Sequence, residues 1–256
     1  MMRVLATIVL AILVSMPAAS QGFDWQYSVR YPTSSPTRFV GVALGAGYAL
    51  HQGRLPYLEQ DIQLPCCTYE NGTGTPASLG VAFEQWTSSN LAMHASVGYR
   101  FMSAGMAAPQ TESDPMADGR VLVTQYSYEA ALHYADIIGG LRYRLGSSHV
   151  SIGASVRLNL LLGSTASHRE DVLSPSDFQF TTNPPSRSIE IPVTGVPDAM
   201  PYIVVPMVHL GYDVSLANGL YLSPLITLGL PMMSTARDAS WRTTDASILI
   251  RIMRAL

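Results

Sequence analysis

From residue 39 to residue 50 the chain reads FVGVALGAGYAL, in which Val40, Val42, Leu44, Ala46, Tyr48 and Leu50 alternate with a row made mostly of Gly and Ala. Successive side chains of a strand point to opposite faces. The pattern therefore predicts a strand with one broad apolar face and one face pared almost to the backbone. Seven more segments carry the same period of two: residues 78–86, 91–102, 121–145, 150–162, 202–214, 220–230 and 241–256. The fourth is too long for one regular strand. Its apolar row runs on even positions (Leu122, Tyr126, Tyr128, Leu132, Tyr134) and then on odd ones (Ile137, Leu141, Tyr143, Leu145). A phase slip of that kind predicts a β-bulge near Ala135-Asp136.

The connections alternate in length. Residues 87–90, 146–149 and 216–219 are tight turns, whereas the loops around 52–77, before 120, and across 163–199 are long and polar. Alternating long and short connections between antiparallel strands of even number describe an up-and-down barrel of the membrane type. The prediction is an all-β, closed, antiparallel transmembrane barrel of eight strands, or ten if FQF (178–180) and SIEIPV (188–193) join the wall. Pro206 and Pro224 fall inside the sixth and seventh segments. Proline lacks a ladder donor, so a bulge or strand end is expected at each.

The charges choose between a membrane barrel and a soluble one. Glu84, His94, Arg100, Glu129, His133, Arg142, Arg144, Arg157, His209, Asp213, Asp245 and Arg251 all fall on the row opposite the apolar one. A charge facing lipid near the midplane costs roughly 2–4 kcal/mol, so this sorting predicts a polar network in the lumen and hydrocarbon outside. A lipocalin-like carrier would reverse the faces. Tyr48, Tyr99, Tyr126, Tyr128, Tyr143, Tyr202 and Tyr212 share the apolar row, as interfacial girdles do.

Composition agrees. Charged residues make up 13% of 256, and the net charge of -3 argues against a nucleic-acid partner. The basic residues are all Arg. At the start, Met1-Met2-Arg3 precedes the apolar run 4–14 and SMPAAS, with Ala18 and Ser20 placed as small residues of a cleavage site. This predicts an exported chain with a signal peptide over 1–20, a polar lead-in over 21–36 and a barrel over 37–256.

From the opening strand to the end, the chain resembles the small outer-membrane β-barrel family of OmpA-like and PorT-like barrels. The residues that carry the likeness are FVGVALGAGYAL, the loop with Cys66-Cys67 before GTGT, the Pro-rich loop and the closing block WRTTDASILIRI. In that family the last strand usually ends in Phe; here it ends in Leu256, with Arg254 interrupting the apolar row. The resemblance implies a bacterial outer membrane, contact with its lipid and with the barrel-assembly machinery, and a part in envelope biogenesis or secretion.

Candidate chemistry is sparse. Cys66 and Cys67 are adjacent in an exported loop, which leaves three readings: a strained ring between neighbours, a disulfide to an outside partner, or two free thiols. Ser167-His168-Arg169-Glu170-Asp171 has the residue types of a hydrolase, but a triad needs a spatial arrangement that neighbours in sequence rarely provide. No phosphate loop, zinc spacing or nucleotide fingerprint occurs, so no cofactor, metal or catalytic residue is expected. The sequence reading is a non-enzymatic envelope component whose long loops meet an envelope or extracellular partner. Its rivals are a small-solute channel, a lipid-modifying barrel enzyme and a soluble ligand carrier.

Overall fold

The structure is a computed structural model. It describes residues 38–55, 69–109, 111–112, 119–146, 148–193, 195–217, 219–237 and 239–256. The predicted signal peptide, the predicted lead-in and the Cys66-Cys67 loop lie outside the described residues.

Alternation becomes strand along almost every predicted segment. The elements are β1 (Arg38–Leu55), β2 (Tyr69–Gly74), β3 (Pro76–Trp86), β4 (Leu91–Ala107), β5 (Thr111–Glu112) and β6 (Val123–Arg144), then β7 (Val150–Ser174), β8 (Ser188–Val193), β9 (Tyr202–Tyr212), β10 (Val214–Ala217), β11 (Leu220–Gly229) and β12 (Arg242–Ala255). Eight of them form a closed antiparallel ring in the order β1, β3, β4, β6, β7, β9, β11, β12. The ring shuts where β12 returns to β1, in register from Phe39↔Ala255 to Gln52↔Arg242. Closure leaves no unpaired edge. β2 continues β3 across Thr75 and pairs with both β1 and β4. β8, which contains SIEIPV, pairs with β7 at Ala166–Asp171 and stays outside the ring.

The three short turns share one end with the wall's two termini, where the Leu256 N–H donates to the Arg38 carbonyl at 3.0 Å. We call this end proximal. Two of its turns place glycines at positive φ, Gly146 at 60° and Gly219 at 70°. At the distal end β6 and β7 run on as a long hairpin flanked by β8.

Around the ring the outward row is apolar: Val42, Leu44, Leu79, Val81, Met93, Val97, Ile152, Val156, Leu210, Ile226, Ile248 and Ile250 are all exposed. Tyr143 and Tyr212 stand near its proximal margin, and Tyr48, Tyr99 and Tyr202 near its distal one. β9, with 11 residues at roughly 3.3 Å each and a tilt of about 40°, covers a height on the order of 25 Å. That matches the hydrocarbon band of an outer-membrane barrel.

The small inward row has a steric cause. A Cβ added to Gly98 would stand 2.8 Å from the Gly80 Cα and 2.9 Å from Asp136 Oδ1. Bare backbone there leaves space for long side chains reaching in from the opposite wall.

Both prolines flank one seam. β9 and β11 are paired over five positions, from Leu225↔Gly211 to Gly229↔Met207. Pro206 lies one residue beyond one end and Pro224 one beyond the other. The expected strand ends are thus ends of pairing with a single neighbour: Pro206 remains paired with Val156 and Pro224 with Ile250.

The predicted bulge is misplaced. β6 keeps one phase throughout, with its even positions inward from Thr124 to Arg144. The extra residue lies in β7, where His133 pairs with Gly163 but Tyr134 with Leu161. Consequently Tyr126, Tyr128, Leu132 and Tyr134 point into the bore, and Glu129 and His133 point out of it. Distal to the hydrocarbon band the surroundings are water and the interior is a packed plug, so the apolar face of β6 turns inward.

Candidate functional site

The bore is filled in three layers. The proximal layer is built around Arg142 of β6, which is fully buried. Its Nη1 donates to Glu84 Oε2 at 2.9 Å, its Nε to Ser151 Oγ at 2.8 Å, and its Nη2 to Asp213 Oδ1. Glu84 also accepts from Tyr221 OH at 2.7 Å and lies 3.3 Å from Arg251 Nη2. Nearer the mouth the Arg144 guanidinium sits 3.8 Å above the Trp86 ring and donates to the Ser89 carbonyl at 3.1 Å. Five wall strands (β3, β6, β7, β11 and β12), together with Asp213 beyond the end of β9, contribute to one charge-assisted network.

In the middle layer, Asp245 of β12 bridges two arginines. Arg157 Nη2 reaches Oδ1 at 2.5 Å and Arg100 Nη2 reaches Oδ2 at 3.0 Å. Asp136 is buried beside them. A chamber of about 50 Å³ touches both layers, with His94 and His209 on its wall, edge to face at 5.1 Å between centroids.

The distal layer is aromatic. Tyr69, Tyr126, Tyr128, Tyr134 and Trp241 pack with Met102, Met106 and Leu132. Trp241 Nε1 donates to His51 Nδ1 at 3.0 Å, and His51 Nε2 meets the Ser103 carbonyl, also at 3.0 Å. His168 is buried, bonds to Tyr69 OH through Nδ1 and stacks on Tyr126. Burial holds its imidazole below the ordinary value, against the pull of Glu170. Burial and the hydrogen bond with Glu170 push the Tyr126 phenol up to about 12.

Of the residues read from sequence as a lumen network, the structure brings together Glu84, Arg142, Asp213 and Arg251, and separately Arg100, Arg157 and Asp245. Arg144 guards the proximal mouth, and His94 and His209 line the chamber. Glu129 and His133 do not join them. Glu129 is exposed on the outer wall, and His133 meets the outward Tyr99, OH to Nδ1 at 2.5 Å. Their assignment to the bore followed from the misplaced bulge. Asp136, Tyr221 and the Trp241–His51 pair went unread. Tyr221 lies on the inward parity of its segment, which alternation alone would have exposed.

The hydrolase-like run is dispersed. Ser167 and His168 are neighbours on a strand, so Ser167 faces outward while His168 faces the plug. On the outer wall, distal to the apolar band, Ser167 joins Thr73, Ser103, Glu129, Thr165 and Glu190 around an open polar groove of about 720 Å³.

No family model matches the chain, and no curated protein matches it. Solved structures similar to it include Ail, the attachment invasion locus protein of Yersinia pestis, with 6% identity, 86% of this chain and 99% of that one covered, and a TM-score of 0.31. Neisserial surface protein A has 10% identity, coverage of 84% and 96%, and a TM-score of 0.35. The outer membrane protease OmpT from Escherichia coli has 8% identity, coverage of 86% and 97%, and a TM-score of 0.30. Likeness this loose assigns no activity. The presence of a protease among these structures nonetheless overturns the expectation that the chain is not an enzyme, because barrel architecture does not exclude catalysis. The OmpA-like and PorT-like resemblance rests on the residues that carry it, and the eight-stranded closed ring rests on the structure itself.

Proposed function

We propose that this chain is an integral β-barrel of a bacterial outer membrane, anchored by its apolar band. In this reading the bore is a structural plug rather than a conduit, and the elaborated distal end presents the working surface. The observation that carries this is the opposed sorting of side chains around a closed ring: hydrocarbon side chains outside, interlocked ion pairs inside. An interior charge in a membrane protein is stable only when paired. Here Glu84, Asp213 and Asp245 are each held by arginine. With the short turns in the periplasm, the β6–β7–β8 extension and the groove carrying Glu129, Ser167 and Glu190 stand above the outer leaflet. That surface is polar and shaped, and meets an envelope or extracellular partner.

Two measurements test the reading. The protein should stay with outer membranes through an alkaline carbonate wash, and a soluble fraction would refute the anchoring. Purified protein in a planar bilayer should pass no steady current, and ohmic conductance would refute the plug.

A further inference from the structure

We propose that Arg38 and Arg254, side by side on the outer wall where the barrel closes, bind the phosphate of one anionic phospholipid in the proximal leaflet, a site that rests on the membrane reading above. Arg254 is the residue that interrupts the apolar row of the last strand. Its side chain is exposed, as is that of Arg38, and both share the outward parity of their exposed strand neighbours Val42 and Ile252. Arg254 pairs with Val40 across the β1–β12 seam, and the Leu256 N–H donates to the Arg38 carbonyl, so the two arginines are diagonal neighbours. Such neighbours stand roughly 7–8 Å apart, within reach of long side chains. Gln85 of β3, directly opposite Arg38, adds an amide on the other flank.

The strand registers set their height. Followed strand by strand around the ring, the paired positions lead from Phe39 through β3 and the rest of the wall back to Ala49, nearer the distal end of β1. Each step from β1 toward β3 therefore moves distally, and the step from β1 to β12 moves proximally. With strands about 4.8 Å apart and tilted about 40°, that step is roughly 3 Å along the barrel axis. Arg254 thus lies roughly 3 Å proximal to its partner Val40, and Arg38, two residues before Val40 on β1, roughly 5 Å. The two guanidinium-bearing residues share nearly one level, just beyond the last apolar residues of their strands, Val40 and Ile252.

Chemistry and place select the ligand. Neither arginine has an ion pair among the described residues, and the carboxylates of this end, Glu84 and Asp213, are buried in the bore on Arg142. Like charges on neighbouring strands repel each other, and an anion between them relieves that repulsion. The guanidinium fork matches the oxygens of a phosphate. At this depth, directly beyond the hydrocarbon, the leaflet itself presents phosphates. No outward carboxylate among the described residues of this margin receives an ammonium group, so the site favours phosphatidylglycerol, whose headgroup alcohol is neutral, over phosphatidylethanolamine. Elsewhere the same margin carries Leu91, Tyr143, Leu145 and Tyr212, which offer no cation, so the site belongs to the closing seam.

The test is native mass spectrometry of the full chain released from detergent micelles that hold equal amounts of phosphatidylglycerol and phosphatidylethanolamine with the same acyl chains. The unaltered chain should retain one phosphatidylglycerol with a preference of roughly 25-fold, each arginine beside an anionic headgroup being worth about fivefold. Arg38→Gln and Arg254→Gln should each lower the preference about fivefold, and the double variant should bring it to parity. Arg169→Gln, on the distal surface, should leave it unchanged. Insertion of every variant into lipid vesicles checks that the wall still forms. Parity in the unaltered chain, a preference that survives the double variant, or an equal loss in Arg169→Gln overturns the headgroup site and leaves the anchoring standing. Failure of the unaltered chain to insert into vesicles overturns both.

Discussion

Arg142 and Glu84, from β6 and β3, meet across the bore at 2.9 Å with both side chains wholly buried. Neither strand neighbours the other in the ring, so this contact ties together parts of the wall that the backbone ladder does not join. Arg142→Met keeps an unbranched apolar stem but leaves Glu84 and Asp213 buried without their main partner. Removing one member of a buried ion pair typically costs about 3–5 kcal/mol. Urea unfolding in lipid vesicles should show a loss of that size. A loss below about 1 kcal/mol would mean that the bore is wetter than described.

His168 makes stability depend on pH. Its folded form is held neutral below the ordinary imidazole range by burial. The unfolded chain takes up a proton near pH 6.5, so below that the unfolded state binds more protons and gains ground. The contribution of His168 is therefore complete above about pH 7 and declines as pH falls from about 6.5 toward the lowered folded value. Subtracting the stability curve of His168→Gln from that of the parent protein should isolate this slope from the other buried histidines. A difference curve that is flat from pH 7 to pH 4 would contradict the buried placement.

The β9–β11 seam is short because of its prolines. Leu230 N–H donates to the Pro206 carbonyl at 3.0 Å. In a hydrogen-bonded antiparallel pair the return bond would come from the nitrogen of residue 206, which in proline has no hydrogen. Pro206→Val should supply that bond, raise stability by about 1 kcal/mol, and slow hydrogen exchange at the Leu230 amide. Unchanged exchange would show that the seam is limited elsewhere.

The half of the barrel that crosses hydrocarbon was legible in the sequence, for a physical reason. Lipid enforces one rule on every strand, so Arg100, Arg157 and Asp213 could be assigned to the interior from parity alone. That rule stops where the strands leave the membrane. Along distal β6 the apolar residues turn inward to the plug, and a reader applying the membrane rule places Glu129 and His133 on the wrong side. The true phase change, in β7, is hidden by Leu160, Leu161 and Leu162, three leucines in a row that carry no parity signal. Long-range partners were also unreadable: Trp241 and His51 are 190 residues apart in the chain and meet because β12 closes on β1.

The two outer environments predict unequal tolerance. Glu129→Lys, on the exposed distal wall, should change stability by less than about 0.5 kcal/mol. Val97→Arg, mid-band, should cost roughly 2–4 kcal/mol. Comparable effects at the two sites, measured by unfolding from bilayers, would place the membrane boundary wrongly.

The direction in which β4 points its side chains is the most direct test. In a Cys66→Ser, Cys67→Ser background, nitroxide labels are attached one at a time along Leu91 to Val97 in bilayers, and their collision rates with oxygen and with a water-soluble relaxant are compared. A period of two is expected, with lipid-like oxygen access at Leu91, Met93, Ala95 and Val97 and protection at Ala92, His94 and Ser96. The same period with its maxima on His94 and Ser96, or no alternation at all, would contradict it.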